Sequence, residues 1–375
     1  MLSYSQDLKL CRSRASVLQS VATVDRTSLA KISSDQNKKM NEITSDSNCR
    51  KRWLEAVEYP LFRVFQVIYM ILSMAALPIL IYVQLKHIFG PTFHQNIKMI
   101  LLIYYSLALF HAMAYSTTQI YALISSLMNR PCNSFPTSSI YALLHLSIFA
   151  ADFGLVLTLV ALCCERSVAT MRASKYERKG VGLGLLLLAA TFGAIFAAIC
   201  YVYDVDDFQV KVLTFVMLPP GAVKEYNEVE VANIIVSLLC IITLYIASRI
   251  NKKRSSSSPS TLSTRYQMRE NIVTTQFAAQ IAILQVTFFV FQAVGGLSAR
   301  ILGKNLIQYN EKLYTSLCQM FYVAPIFIFV LPIYSLHKLK YYQTYRNEII
   351  RTIVNMESRV LIFIFPHCYG CIFVM

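Results

Sequence analysis

Residues 138–164 read SSIYALLHLSIFAADFGLVLTLVALCC, and this stretch decides the fold class. Asp152 is the only Asp, Glu, Lys or Arg in it. A helix of about 20 mostly apolar residues is long enough to cross the hydrocarbon core of a bilayer. The charged pair Glu165–Arg166 follows directly, where such a span would return to water. The stretch therefore predicts a transmembrane helix.

Six further stretches of the same kind lie before and after it, and they are residues 61–83, 97–127, 180–203, 231–248, 275–302 and 313–336. The composition agrees, because 56% of the 375 residues are hydrophobic, 15% are charged and the mean hydropathy is +0.49. Soluble domains carry about 25% charged residues, so a soluble enzyme is excluded as the default class. We predict an all-α membrane protein in which residues 60–337 form a seven-transmembrane helix bundle, residues 1–59 precede it and residues 338–375 form a tail.

The distribution of basic residues orients this bundle. Lys and Arg are concentrated after spans one, three and five and in the tail, as at Arg172, Lys175, Lys252 and Arg346. Cytoplasmic loops carry an excess of Lys and Arg, so we expect the N-terminus outside and the C-terminus in the cytoplasm. The net charge of +15 then reflects loops rather than a nucleic-acid site, and we expect no nucleic-acid partner.

Two segments that we predict to be cytoplasmic have amino-acid compositions that indicate a structure or a role. Ser255, Ser256, Ser257 and Ser258 follow a basic cluster, which is typical either of a flexible linker or of a phosphorylation site that switches local charge. After span seven, basic and isoleucine residues alternate at helical spacing up to Val354. That pattern predicts a helix lying on anionic membrane lipid.

Both ends of the chain fit this pattern poorly. Residues 1–39 show no pattern, which leaves Met40 as a candidate start. Residues 360–375 are uncharged but too short to span a bilayer. We interpret them as a gene-model or splicing product, and the alternative is a membrane-dipping tail lipidated at Cys368 or Cys371.

A candidate binding site lies in the third span. A carboxylate such as Asp152 costs about 2.5–3.5 kcal/mol at mid-membrane on insertion scales, so it marks a pocket unless a structural hydrogen bond satisfies it. His145 and Phe149 lie on the same helical face. Four polar residues of spans two and six are candidates for the same wall, with interhelical contacts as the alternative: His111, Gln119, Gln285 and Gln292.

A candidate switch lies at the inner end of the third span. Glu165–Arg166 could hold a reversible contact to a neighbouring helix whose opening exposes a cytoplasmic cleft. An ordinary pair at the membrane interface is the alternative. On the switch interpretation, an Arg166→Ala variant would still reach the cell surface but would lose coupling.

The sequence gives little support for catalysis or for metal binding. The sequence contains no hydrolase, nucleotide-binding or zinc pattern, so we expect no catalytic activity, cofactor or metal. Cys132 lies at an outer loop, where thiols favour disulfides, and its candidate partners are Cys200 and Cys49.

Short motifs between the spans occur in a fixed order. Residues 93–98 (FHQNIK) open span two and residues 130–132 (RPC) precede span three. Residues 165–170 (ERSVAT) close span three, and residues 262–267 (LSTRYQ) with 270–272 (ENI) lead into span six. Together they resemble the nematode serpentine chemoreceptors of the Sra superfamily, most closely the Srab class, over roughly residues 40–345.

This resemblance implies a G-protein-coupled receptor in the plasma membrane of sensory neurons, in their cilia, that binds an environmental odorant or pheromone. It places Glu165–Arg166 at the acidic-Arg motif of rhodopsin-like receptors, with Arg265 and Tyr266 beside it in the coupling region. Two departures stand out, because span six lacks Trp-x-Pro and Pro332–Ile333–Tyr334 only partly matches Asn-Pro-x-x-Tyr. A transporter or channel is the competing class, although the sequence shows no paired repeat halves.

Overall fold

The structure is a computed structural model, and it describes residues 59–89, 94–127, 137–171, 181–209, 214–257, 262–305, 311–342 and 344. Residues 1–58 and 345–375, which include both questioned ends and most of the predicted membrane-lying tail, fall outside these ranges, whereas residues 338–342 of that tail continue the helix of the seventh span.

Seven helical spans long and apolar enough to cross a membrane run through the described residues. They are α1 (Pro60–Val83), α2 (Gln95–Leu127), α3 (Ser138–Met171), α4 (Gly182–Val202), α5 (Val223–Ser257), α6 (Leu262–Asn305) and a seventh span made of α7 (Glu311–Phe321) and α8 (residues 324–342). One π-helical turn, Gln84–Ile88, extends α1, and two 3₁₀ turns, Val205–Gln209 and Pro220–Ala222, lie between α4 and α5. The predicted all-α, seven-span fold is confirmed, whereas the side of the membrane that each terminus faces stays a prediction.

Helices α5 and α6 are longer than the spans predicted from hydropathy. Residues 231–248 and 275–302 are only their apolar middles, because hydropathy marks the part that crosses the bilayer and not the helical turns beyond it. Ser255, Ser256 and Ser257 belong to the last turn of α5, so these three residues are helical and not part of an irregular linker. Ser258 lies outside the described residues.

Helix α3 occupies the centre of the bundle, where it packs against α2, α4, α5 and α6. Helices at the periphery present apolar side chains outward instead. On α4, for example, Leu186 and Phe196 are 66% and 69% exposed. In a bundle that crosses a membrane, such faces contact lipid, while the polar groups discussed below are gathered inside.

The seventh span is broken at Tyr322 and Val323, although the sequence predicts one continuous span. Pro325 follows in the first turn of α8, where a proline fits because its missing N–H would have no helical partner. Side chains of other helices satisfy the freed backbone groups. The Tyr69 hydroxyl donates to the Met320 carbonyl (2.6 Å), and the Ala324 N–H donates to Oε1 of Gln292 (3.0 Å). Such hydrogen bonds are needed because the bilayer interior contains no water that could satisfy the free backbone groups of an interrupted helix.

Gly295 allows α6 to approach this break closely. A Cβ placed on Gly295 would lie 2.2 Å from Cδ1 of Phe321, whereas one on Gly193 of α4 would meet nothing within 4 Å. Overpacking of this kind costs about 1–3 kcal/mol. We therefore expect Gly295→Ala to lower the melting temperature of the purified protein, and Gly193→Ala to leave it unchanged. Equal melting temperatures for the two variants would show that the Phe321 ring moves aside freely.

Candidate functional site

A cavity of about 130 Å³ opens between α3, α5, α6 and the seventh span. Four of the seven predicted ligand-binding residues line it: His145, Phe149, Asp152 and Gln292. A smaller cavity of about 50 Å³ adjoins it and shares Phe149, Asp152 and Gln292. The predicted face of α3 therefore points into a real cavity, and its binding of a ligand stays a prediction.

Asp152 is joined to the break in the seventh span. The Tyr322 hydroxyl donates to Oδ2 of Asp152 (2.8 Å), and Nε2 of His111 lies 2.7 Å from the same hydroxyl and 3.3 Å from Oδ1 of Asp152. The rings of His111, Tyr115 and Tyr322 stack with centroids 5.6–6.0 Å apart. His111, which is fully buried, thus supports the cavity wall from behind and does not line the cavity.

His145 lines the cavity and also makes structural hydrogen bonds. Its Nδ1 lies 2.8 Å from the Phe215 carbonyl and its Nε2 lies 2.9 Å from the Tyr203 hydroxyl. A neutral imidazole satisfies both contacts by donating from Nδ1 and accepting at Nε2. Burial raises the pKa of Tyr203 well above its ordinary value, so this hydroxyl stays a donor. His145 therefore fixes the α4–α5 connection against α3, at the edge of the cavity.

The cavity wall contains an ion pair that was not predicted from the sequence. Nη2 of Arg300 lies 2.6 Å from Oε2 of Glu230, and both side chains are less than one fifth exposed. The Arg300 guanidinium also lies over the Tyr226 ring, 5.7 Å from its centroid. Glu230 and Arg300 were overlooked because charged residues at the ends of spans usually face lipid headgroups.

Two predicted ligand residues lie away from both cavities. Oε1 of Gln285 accepts a hydrogen bond from the Tyr104 hydroxyl (2.8 Å) in the core between α6 and α2, which matches the alternative of an interhelical contact. Gln119 is buried on α2 and lines neither cavity.

Glu165 and Arg166 form a buried pair at the other end of α3. Their side chains are 0% and 1% exposed, and two N–H···O contacts of 2.5 and 2.6 Å join them. Nη1 of Arg166 also donates to Oγ1 of Thr274 (2.7 Å) and Oδ1 of Asn271 (3.2 Å) on α6. An ordinary interfacial pair would be exposed to solvent, so the geometry favours the predicted helix-to-helix contact.

Helix α5 joins the same contact region. Nδ2 of Asn251 donates to Oγ1 of Thr170 (3.1 Å) and of Thr275 (3.4 Å), and Arg254 donates to the Thr170 carbonyl. Three helices are therefore connected beside Arg166. Arg265 and Tyr266 lie in the first turns of α6, and their side chains are outside what the structure describes.

The last two sequence predictions concern a disulfide and the absence of a metal site. Cys200 is exposed near the end of α4, whereas Cys132 lies outside the described residues, so their pairing stays a prediction. No group of His, Cys, Asp and Glu within the described ranges could hold a metal ion.

Comparison with known proteins is consistent with this architecture. The family model described as "Serpentine type 7TM GPCR receptor class ab chemoreceptor" matches residues 47–365. Serpentine receptor class beta-16 of Caenorhabditis elegans is 27% identical over 76% of this chain and 85% of its own length. Serpentine receptor class beta-3 of the same organism is 26% identical over 84% of this chain and 92% of its own length.

Proposed function

Because the chain belongs to the class ab family of serpentine seven-transmembrane chemoreceptors, we propose that it is a chemosensory receptor that detects an environmental small molecule and activates a heterotrimeric G protein. One observation carries this proposal. Two residues of the cavity wall, Asp152 and Gln292, are hydrogen-bonded to Tyr322 in the break of the seventh span and to Ala324 directly after it. A molecule in the cavity would compete directly with contacts that hold a helix in place.

The second half of the proposed mechanism lies about 20 Å away along α3, at 1.5 Å per residue. There, Arg166 holds α6 through Thr274 and Asn271. In the proposed mechanism, the ligand binds more tightly to an arrangement in which α6 has left Arg166. Binding then shifts the population toward that arrangement, which accepts the G protein.

The proposal includes a location and an orientation. The receptor spans the plasma membrane of sensory neurons, in their cilia, with residues 1–59 outside and residues 338–375 in the cytoplasm on inner-leaflet lipid. A disulfide between Cys132 and Cys200 would then form outside the cell. Ser255–Ser258 would be open to cytoplasmic kinases, which modify the end of α5. The ligand is an odorant or a pheromone, and the receptor needs no cofactor.

Purified receptor reconstituted in liposomes tests this proposal. We expect at least one member of an odorant and pheromone panel to accelerate nucleotide exchange on an added heterotrimeric G protein, with receptor-free liposomes as the control. The same liposomes, loaded with a tracer solute or ions, should show no flux. Flux without nucleotide exchange would instead identify a transporter or channel.

A further inference from the structure

We infer that the cavity takes a small organic cation, namely a protonated amine with a compact apolar body. This inference rests on the proposed function and adds the chemical class of the ligand. Within the part of the chain that the structure describes, the charged residues that line the larger cavity are Asp152, Glu230 and Arg300. Arg300 pairs with Glu230 at 2.6 Å, so those two charges compensate each other, and the Asp152 carboxylate has no cationic partner among the described residues of the lining.

The partners of Asp152 do not supply the missing positive charge. Tyr322 contributes a neutral hydroxyl to Oδ2. His111 is the remaining candidate, but its Nδ1 is buried and has no hydrogen-bond partner among the described residues. A protonated imidazole would place an unsatisfied N–H there, which is costly in a buried site. The described geometry thus favours a neutral His111, so a positive charge to balance an ionised Asp152 would have to come from a molecule in the cavity.

The rest of the wall suits an ammonium group with an apolar body. Aromatic rings of Phe149, Tyr203, Tyr226 and Tyr322 line the cavity together with Asp152. The faces of such rings attract cations, and they do so more strongly when the cation is desolvated. A second aliphatic and aromatic surface is provided by the adjoining cavity beside Asp152. With about 130 Å³ available, the ligand has to be small.

Matched probe series test the inference on the purified receptor in detergent. Each series keeps one skeleton and changes the head group, as in 2-phenylethylamine, 2-phenylethanol and phenylacetate, or isoamylamine, isoamyl alcohol and isovalerate. We expect an amine to raise the melting temperature in a concentration-dependent manner, and the alcohol and carboxylate of the same skeleton to bind at least tenfold more weakly. This comparison of ligands needs only the wild-type protein.

Three variants test which carboxylates the amine needs for binding. Asp152→Asn should abolish the shift that the amine produces. Glu230→Gln should weaken amine binding at least tenfold, because it leaves the Arg300 charge uncompensated beside the cavity. Glu228→Gln is the matched control: Glu228 lies two residues away on α5, is exposed and contacts Tyr201 at 2.6 Å, so binding should not change.

The outcomes separate this inference from the proposed function. Binding of the alcohol or carboxylate in preference to the amine, or no shift with any amine, overturns the inference, and the receptor function can still stand. An amine that stabilises the receptor through Asp152 but never accelerates nucleotide exchange supports the inference and contradicts the proposed function.

Discussion

Replacing Arg166 with alanine is expected to remove most folded receptor from the cell surface. Arg166 is the ion-pair partner of Glu165, whose side chain is 0% exposed. Removing one member of a buried ion pair costs about 3–5 kcal/mol, because the other charge loses its closest opposite charge in a site that water does not reach. That loss is comparable with the whole stability of many proteins. The expected result is therefore low surface labelling and a low melting temperature, and not the well-expressed, uncoupled receptor that the sequence alone predicts.

Two further variants show whether an unbalanced buried charge causes the loss of surface labelling. The double variant Glu165→Gln, Arg166→Gln removes both charges together and should recover surface labelling. Arg249→Ala serves as the control, since Arg249 is exposed on α5 and its guanidinium contacts the Tyr245 side chain four residues earlier. Normal surface labelling of Arg166→Ala would show that the Glu165–Arg166 ion pair is not needed for folding.

A milder change probes the contact between α3 and α6 while the ion pair stays intact. Thr274→Val keeps the shape of the side chain but removes the oxygen that accepts from Nη1 of Arg166 at 2.7 Å. This variant separates the role of Arg166 in holding α6 from its role in neutralising Glu165. In the proposed mechanism, weakening the α6 contact favours the arrangement that accepts the G protein.

Part of the site could be predicted because one helix carries it. His145, Phe149 and Asp152 share a face by helical periodicity alone, and an isolated carboxylate at mid-span marks that face. The pair Glu165–Arg166 was also correctly located at the end of α3. Its burial was not predictable, since whether a charge at a span end meets water or another helix depends on packing between helices.

The remaining parts depend on residues far apart in the chain. Glu230 and Arg300 stand 70 positions apart and become a pair only when α5 and α6 pack together. The break in the seventh span left a local signal in Pro325, but the continuous apolar character of residues 313–336 concealed it. Tyr322 could not be recognised as a partner of Asp152, because the two are 170 positions apart.

The Tyr322→Phe variant is expected to raise basal nucleotide exchange and to shrink the further increase that a ligand produces. The change removes only the hydroxyl, which donates to Oδ2 of Asp152 at 2.8 Å and contacts Nε2 of His111 at 2.7 Å. Leaving a buried polar group without its partner costs about 1–3 kcal/mol, and more for a charged one. If that cost falls on the arrangement with an intact Asp152–Tyr322 bond, the population shifts toward the other arrangement by about tenfold for each 1.4 kcal/mol.

Tyr201→Phe is the matched control for this variant, because the Tyr201 hydroxyl also donates to a carboxylate, Oε2 of Glu228 at 2.6 Å, but on the exposed surface. Exchange rates are compared per surface-labelled receptor, so that a loss of folding is not counted as a loss of signalling. The pair Tyr322→Phe and Asp152→Asn should be non-additive, since both remove the same bond. Basal exchange at the wild-type rate in Tyr322→Phe, with an unchanged ligand response, would mean that the break in the seventh span does not transmit the state of the cavity. Ligand binding would then have to reach the Arg166 contact through α3 or α6 alone.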